Sequence, residues 1–139
     1  MKVCIDSNVF IAVKNKEPSA HACERILDAI ENNRLHGVVS TIVLSEVEVG
    51  FYLNNEASDA QAFAVKVRHD YSLVPVSDDI AIEAARIRAD TGMRLPDALI
   101  SATALASACD FLISSDIPMM KQNRFHVIDP ETFVKNHLS

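Results

Sequence analysis

Short apolar runs recur along the chain and end at polar residues. These runs are KVCI before Asp6, GVVS before Thr41, SLVPV before Ser77, FLIS before Asp116 and HVI before Asp129. Such runs predict short strands, and the apolar N-terminal stretch MKVCIDSNVFIAV is interpreted as the first of them. Because the runs are apolar throughout rather than alternating, we expect strands buried on both faces of a parallel sheet.

Segments between these runs predict helices. Two of them are amphipathic, one opening at Pro18-Ser19 and one with Ser58 and Gln61 in the positions of a capping box. A third, DDIAIEAARIRAD, follows Ser77 as its cap and should end at Gly92.

The segment LPDALISATALASAC predicts a different kind of helix. Pro96 suits a first helical turn, and the residues that follow are apolar or small on every side, which is typical of a helix buried against a sheet. Strands that alternate with helices predict an α/β fold, a three-layer α/β/α sandwich around a central parallel sheet of about five strands. We expect residues 1–139 to form a single domain.

Four acidic residues fall near one edge of this predicted sheet. In a parallel sheet with helical crossovers, strand C-termini and helix N-termini share an edge, where ligands bind. Asp6 follows the first strand and Asp116 the fourth, while Asp97 opens the buried helix and Glu46 lies early in a helix that begins near Thr41. Glu46 is preferred over Glu48, because side chains two positions apart on a helix point in different directions.

Each of these acids also has a structural explanation. Asp6 could be a turn former after its strand, Asp97 a partner of the helix dipole and Asp116 an N-cap. Glu46 is harder to explain in this way, because its helix is apolar on most sides. The acids that follow Ser77, Asp78 and Asp79, are assigned a structural role in the first turn of their helix.

Composition narrows the classes of function. The chain is 49% hydrophobic, and no apolar run reaches the roughly 20 residues that span a bilayer, so we expect no membrane association. The three cysteines form no CxxC pair, and the five histidines show no metal-binding spacing, which favours reduced thiols, a cytoplasmic location and no histidine site. A net charge of −6 argues against a broad basic surface for phosphates, although metal ligation by four acids would account for most of it.

The ordered set IDSNVFI, STIVLSEVEVG, LPDALISATAL and SSD resembles the motif regions of PIN domains, most closely those of VapC-type toxins. The resemblance implies an endoribonuclease that hydrolyses RNA with Mg²⁺ or Mn²⁺ held by Asp6, Glu46, Asp97 and Asp116. Gly50 stands four residues after Glu46, as in the family. The fourth region departs from the family pattern, which is often Thr-x-Asp followed by two residues and an aromatic, whereas this chain has Ser114, Ser115, Asp116, Ile117 and Pro118.

The resemblance also carries expectations about supporting residues and partners. Asn8 and Ser114 are expected to orient the metal-binding carboxylates, and Arg94, Lys121 and Arg124 are candidates for contact with the RNA backbone. A homodimer and a cognate antitoxin are the implied protein partners. Surplus apolar surface on the helices of residues 42–52 and 63–67 also favours a dimer.

Three alternatives remain at this point. A phosphoacceptor receiver would have paired acids after the first strand and a Lys after the last, whereas this chain has Asp6-Ser7-Asn8 and Ile128-Asp129-Pro130. A phosphatase of the haloacid dehalogenase type would have an acid at position 8. A PIN-like scaffold that binds RNA or protein without catalysis would keep the fold but would not need all four acids.

Overall fold

The computed structural model describes residues 1–122 and 125–138, with the side chain of residue 122 left out. Its strands are β1 (Lys2–Ile5), β2 (His36–Ser40), β3 (Ser72–Val74), β4 (Phe111–Ile113) and β5 (Val127–Ile128). Its helices are α1 (Ser7–Lys14), α2 (Ala20–Glu31), α3 (Thr41–Leu53), α4 (Ala57–Asp70), α5 (Asp78–Thr91), α6 (Leu95–Ala106), α7 (Ile117–Gln122) and α8 (Pro130–His137).

The strands form one parallel sheet in the order β3-β2-β1-β4-β5. β1 is central, and its Val3 pairs with Gly37 on β2 and with Phe111 on β4. The main hydrophobic core joins β1, β2 and β4 to the inner faces of α1, α2 and α3, while a second cluster joins α5 to α6. The predicted three-layer α/β/α architecture with five parallel strands is confirmed.

Several local predictions are also confirmed. The Ser77 Oγ accepts a hydrogen bond from the Ile80 N–H at 3.2 Å, and Gly92 ends α5 in the left-handed conformation at φ 75°. Pro96 lies in the first turn of α6, whose residues from Asp97 to Ala104 are almost all buried. The three cysteines are free thiols buried in the core.

Two sequence predictions are wrong. The N-terminal stretch is not one strand, because β1 ends at Ile5 and Asp6 turns the chain into α1 by accepting the Ser7 N–H. Val9 and Phe10 are then buried on a helical face. The capping box at Ser58 is also absent, since α4 begins at Ala57 after Glu56, two residues earlier than the box requires.

No helix in the described parts of the chain, residues 1–122 and 125–138, is long and apolar enough to cross a bilayer.

Gly37 marks the tightest packing between the sheet and its helices. A Cβ added there would lie 2.8 Å from Ile30 Cγ2 and 2.8 Å from Tyr71 Cδ2, and both of these side chains are buried.

Because of this close packing, we expect Gly37→Ala to lower the free energy of unfolding by about 1–3 kcal/mol in urea titrations. Gly50 is the matched control, because a Cβ at this position in α3 meets nothing within 4 Å. Gly50→Ala should be neutral or add up to about 1 kcal/mol, and equal losses in both variants would contradict this account.

Candidate metal centre

Asp6 lies at the carboxyl end of the central strand, where β1 gives way to α1. Its side chain is 3% exposed and caps α1, with Oδ1 accepting the Ser7 N–H at 2.7 Å. Its backbone N–H donates to the Ile113 carbonyl on β4 at 3.1 Å. The carboxylate is therefore fixed relative to two neighbouring strands before any ligand is considered.

Asn8 and Ser114 hold the second oxygen of Asp6. The Ser114 hydroxyl donates to Asp6 Oδ2 at 2.7 Å, and Asn8 Nδ2 donates to the same oxygen at 3.2 Å. Asn8 also contacts the Ser114 hydroxyl at 3.1 Å and accepts the Ser115 N–H at 3.2 Å. These bonds join the start of α1 to the end of β4.

Asp97 lies in the first turn of α6, three residues after Arg94. Arg94 Nε donates to Asp97 Oδ2 at 3.2 Å and Arg94 Nη2 to Oδ1 at 3.4 Å. The Asp97 side chain is 10% exposed and that of Arg94 is 71% exposed. The carboxylate is therefore sheltered, while its cationic partner reaches it from the solvent side.

Glu46 projects from α3 into the same neighbourhood. Burial raises its pKa, a hydrogen bond from Ser7 lowers it, and the negative charge of Asp97 raises it again. The Glu46 Oε1 atom is buried without a hydrogen-bond partner among the described residues, a costly arrangement for a charged group. Glu48 has one similarly placed oxygen, but its neighbouring charge is Arg68 and not another member of this group.

Asp116 follows β4 and caps the short helix α7. Its Oδ1 accepts the Met119 N–H at 3.2 Å, and its own N–H donates to the Ser114 hydroxyl at 3.0 Å. The negative charge of Asp116 also acts on Arg94, together with the charges of Asp97 and Glu46, and all three raise the pKa of that guanidinium. Asp116 is thus linked both to the Asp6 network and to the Arg94–Asp97 pair.

We call Asp6, Glu46, Asp97 and Asp116 the acidic centre. They come from four separate segments, and their charges act on one another directly or through Arg94. Over residues 1–122 and 125–138, however, no three acidic, cysteine or histidine side chains already form a group that could hold an ion. Asp6, Asp97 and Asp116 each direct an oxygen toward a protein donor.

The other residues singled out in the sequence fall in different places. Lys121 is exposed on α7, and Arg124 lies outside the described residues. Asp78 and Asp79 open α5 after the edge strand β3, where the Asp79 N–H donates to Asp78 Oδ1.

Sequence reasoning missed Ser7. Its hydroxyl contacts Asp6 Oδ1 at 3.4 Å, and its side chain lowers the pKa of Glu46, so it acts on two members of the acidic centre. The signal was an Asp-Ser pair followed by apolar residues at helical spacing, which marks a capped helix start.

The acidic centre has the electrostatics and the donor atoms of a site for a hard cation. Burial raises the pKa of Asp6 to about 6, hydrogen bonds from Ser114 and Ser7 lower it, and the charges of Asp97 and Glu46 raise it. Every side-chain donor in the group is a carboxylate oxygen, which Mg²⁺ and Mn²⁺ prefer. The unpartnered Glu46 Oε1 offers a ligand atom that no protein donor has taken.

The raised pKa of Asp6 predicts how stability changes with pH in metal-free protein. The folded state holds the Asp6 proton more tightly than the unfolded state, so this group stabilises the fold below about pH 4. The contribution is lost as the pH rises to about 6. Asp6→Asn keeps the helix cap and removes the titration. Urea unfolding in EDTA should therefore show the variant gaining stability relative to wild type across this range, by up to about 3 kcal/mol.

Ser114→Ala gives a second check on the same carboxyl group. Loss of the Ser114 hydroxyl removes a donor that favours the charged form, so the pKa of Asp6 should rise and the pH window should move upward. A stability difference between Asp6→Asn and wild type that stays constant with pH would contradict the assignment.

The fold is similar to that of solved structures, among them the following three. VapBC2 from Rickettsia felis, bound to a DNA fragment from its promoter, gives a TM-score of 0.74 at 17% identity, covering 93% of this chain and 98% of that chain. A toxin–antitoxin complex from Klebsiella pneumoniae gives 0.67 at 23% identity, covering 92% and 97%. VapC20 from Mycobacterium tuberculosis, a toxin that cleaves the sarcin–ricin loop, gives 0.71 at 14% identity, covering 86% and 93%.

At these identities the structural similarity establishes the fold alone, and no curated protein sequence matches the chain. The family assignment comes from a sequence model. The PIN domain model matches residues 3–121, which include all four members of the acidic centre, strands β2 to β4, and β1 except its first residue. The chain therefore belongs to the PIN-domain family.

Proposed function

We propose that this protein is a Mg²⁺- or Mn²⁺-dependent endoribonuclease that hydrolyses RNA phosphodiester bonds, with residues 1–139 forming one nuclease domain. The observation that carries the proposal is the acidic centre itself. Four carboxylates from separate segments lie near the carboxyl edge of a parallel sheet in a PIN-family chain, their charges act on one another or on Arg94, and one buried oxygen of Glu46 lacks a protein partner. Such a concentration of like charge is costly unless cations offset it.

Some of these residues would bind the metal, and others would hold the metal-binding carboxylates in position. Asp6, Asp97 and Asp116 would hold the metal, directly or through water, and Glu46 would orient the attacking water or a second ion. Bound divalent ions supply positive charge that offsets the negative charge developing on the phosphate, and they favour ionisation of a nearby water. Hydrogen bonds from Ser114 and Asn8 fix the orientation of the Asp6 carboxylate. Asp6 would therefore stay in place when a metal ion neutralises its charge.

Basic residues near the acidic centre would position the RNA. Arg94 lies at the rim and is largely exposed, so its guanidinium can reach a phosphate outside the site. Lys121 on α7 is a second exposed cation at this end of the sheet. Arg124 belongs to the same proposal on its sequence position alone.

The partners we propose are a cognate antitoxin and a second copy of the chain, which would make this protein the toxin of a type II toxin–antitoxin pair in the cytoplasm. The similar structure from Klebsiella pneumoniae is itself a toxin–antitoxin complex, and the one from Rickettsia felis is VapBC2 bound to DNA from its promoter. Large apolar side chains of α3 and α4 remain exposed, among them Val49, Tyr52, Leu53 and Val65. Exposed apolar surface of this kind supports association with another protein surface.

The first test is cleavage of a panel of fluorescent RNA oligonucleotides. Wild type should cut in Mg²⁺ or Mn²⁺ and stop in EDTA. Asp6→Asn and Asp97→Asn should each lose roughly a hundredfold or more, because each removes a charged metal ligand. Asp79→Asn is the matched control, since it makes the same change at an exposed acid that starts α5. Equal cleavage by wild type and both site variants, or cleavage that survives EDTA, would overturn the assignment of catalysis to a metal at the acidic centre. Absence of cleavage by the wild type would leave a scaffold that binds without catalysis.

The second test is thermal unfolding with and without metal. Because ions bind the folded acidic centre and not the unfolded chain, Mn²⁺ should raise the melting temperature. At a hundredfold excess over the dissociation constant the stabilisation is about 2.7 kcal/mol. Asp116→Asn should reduce the response, and Asp79→Asn should preserve it. A melting temperature that ignores millimolar Mn²⁺ and Mg²⁺ would count against a metal site.

A further inference from the structure

Arg94 gives the acidic centre a positive charge supplied by the chain itself. It precedes the first turn of α6 and reaches across to Asp97 with two N–H groups, one to each carboxylate oxygen. The charges of Asp97, Asp116 and Glu46 all stabilise the guanidinium. A single side chain therefore partly neutralises three of the four acids.

A divalent ion and this guanidinium require the same carboxylate. A metal bound to Asp97 would withdraw electron density from the oxygens that accept the hydrogen bonds of Arg94, and it would bring two positive charges close to a third. Coulomb repulsion between cations a few ångströms apart is substantial at a partly sheltered site. Both therefore cannot be held tightly at Asp97.

The Arg94 side chain is free to leave. It is 71% exposed, so turning the guanidinium into solvent exchanges a partly exposed ion pair for hydration at small cost. Arg88, the nearest arginine before it in sequence, differs because its Nη1 donates to the Met93 carbonyl at 2.6 Å. Of these two arginines, only Arg94 is paired with a member of the acidic centre.

We propose that Arg94 is a built-in counter-ion that competes with the divalent metal for Asp97, and that metal binding releases it to hold a phosphate group of the RNA. The inference rests on the proposed function and adds a regulated step to it. Metal loading and RNA binding become coupled, because the cation that leaves Asp97 becomes available to the backbone of the substrate. Arg94 is then a positioning residue with two alternative partners.

The competition is tested by calorimetric titration of Mn²⁺ into protein without RNA. Arg94→Ala should bind Mn²⁺ about three- to tenfold more tightly than wild type, because the competing charge is gone. Arg94→Lys should fall between them, since an ammonium cannot bridge both oxygens. Arg86→Ala is the control, because Arg86 pairs with Glu83 at the same three-residue spacing, 70% exposed, on α5. Its Mn²⁺ affinity should equal that of wild type.

The transfer of Arg94 from Asp97 to RNA is tested by fluorescence anisotropy of a labelled single-stranded RNA. The measurement is made in EDTA, so that cleavage does not interfere. Asp97→Asn frees the guanidinium and should tighten RNA binding severalfold. The same substitution in the Arg94→Ala background should give a clearly smaller gain, which separates release of the arginine from simple loss of a negative charge.

The outcomes separate this inference from the function on which it rests. Equal Mn²⁺ affinity in wild type and Arg94→Ala would overturn the competition and leave the metal site standing. Equal gains from Asp97→Asn in both backgrounds would overturn the release onto RNA. Absence of Mn²⁺ binding in every variant, wild type included, would overturn the metal site and the inference together.

Discussion

The burial of a carboxylate at the end of the central strand is the constraint on which this structure depends. Asp6 is almost completely removed from water, and a charge in that position has to be matched by donors or cations. The protein supplies the donors from Ser7, Asn8 and Ser114, which lie at the ends of two adjacent strands. The same contacts join β1, α1 and β4, so the site is part of the framework of the fold.

Two members of the acidic centre also begin helices. Asp6 caps α1 and Asp116 caps α7, each by accepting a backbone N–H. A carboxylate has more lone pairs than a cap uses, so the structural role and metal ligation are compatible. Capping also fixes each oxygen in direction, which reduces the ordering that a ligand has to impose when it binds. The structural explanations of these acids are therefore compatible with the proposed ligation of a metal by the same side chains.

Much of the fold could be predicted from the sequence, because strands and helix caps depend on short-range signals. The topology also predicted that the four acids lie near one edge of the sheet, and their role as metal ligands stays a prediction. Uninterrupted apolar runs identified all five strands, and helix caps such as Ser77 and Gly92 identified α5. The sequence indicated a strand that ends before Asp6, but it could not show that VFIAV then forms a helix, since this run suits a strand or a helix until its packing partners are known. The sequence also could not reveal that Arg94 donates two hydrogen bonds to Asp97, or that the Ser7 side chain acts on Glu46. Both depend on side-chain directions that tertiary packing sets.

The pairing of β1 with β4 has a consequence for how this chain tolerates insertions and deletions. Ile5 lies opposite Ile113, so the next residues along each strand, Asp6 and Ser114, meet as a polar pair beyond the last apolar one. Side chains alternate between the faces of a strand, so a slip by one residue would set an isoleucine against the buried carboxylate. Length changes are therefore best absorbed at the outer strands β3 and β5, because the loop before Phe111 is itself hydrogen-bonded to Lys2 at the start of β1.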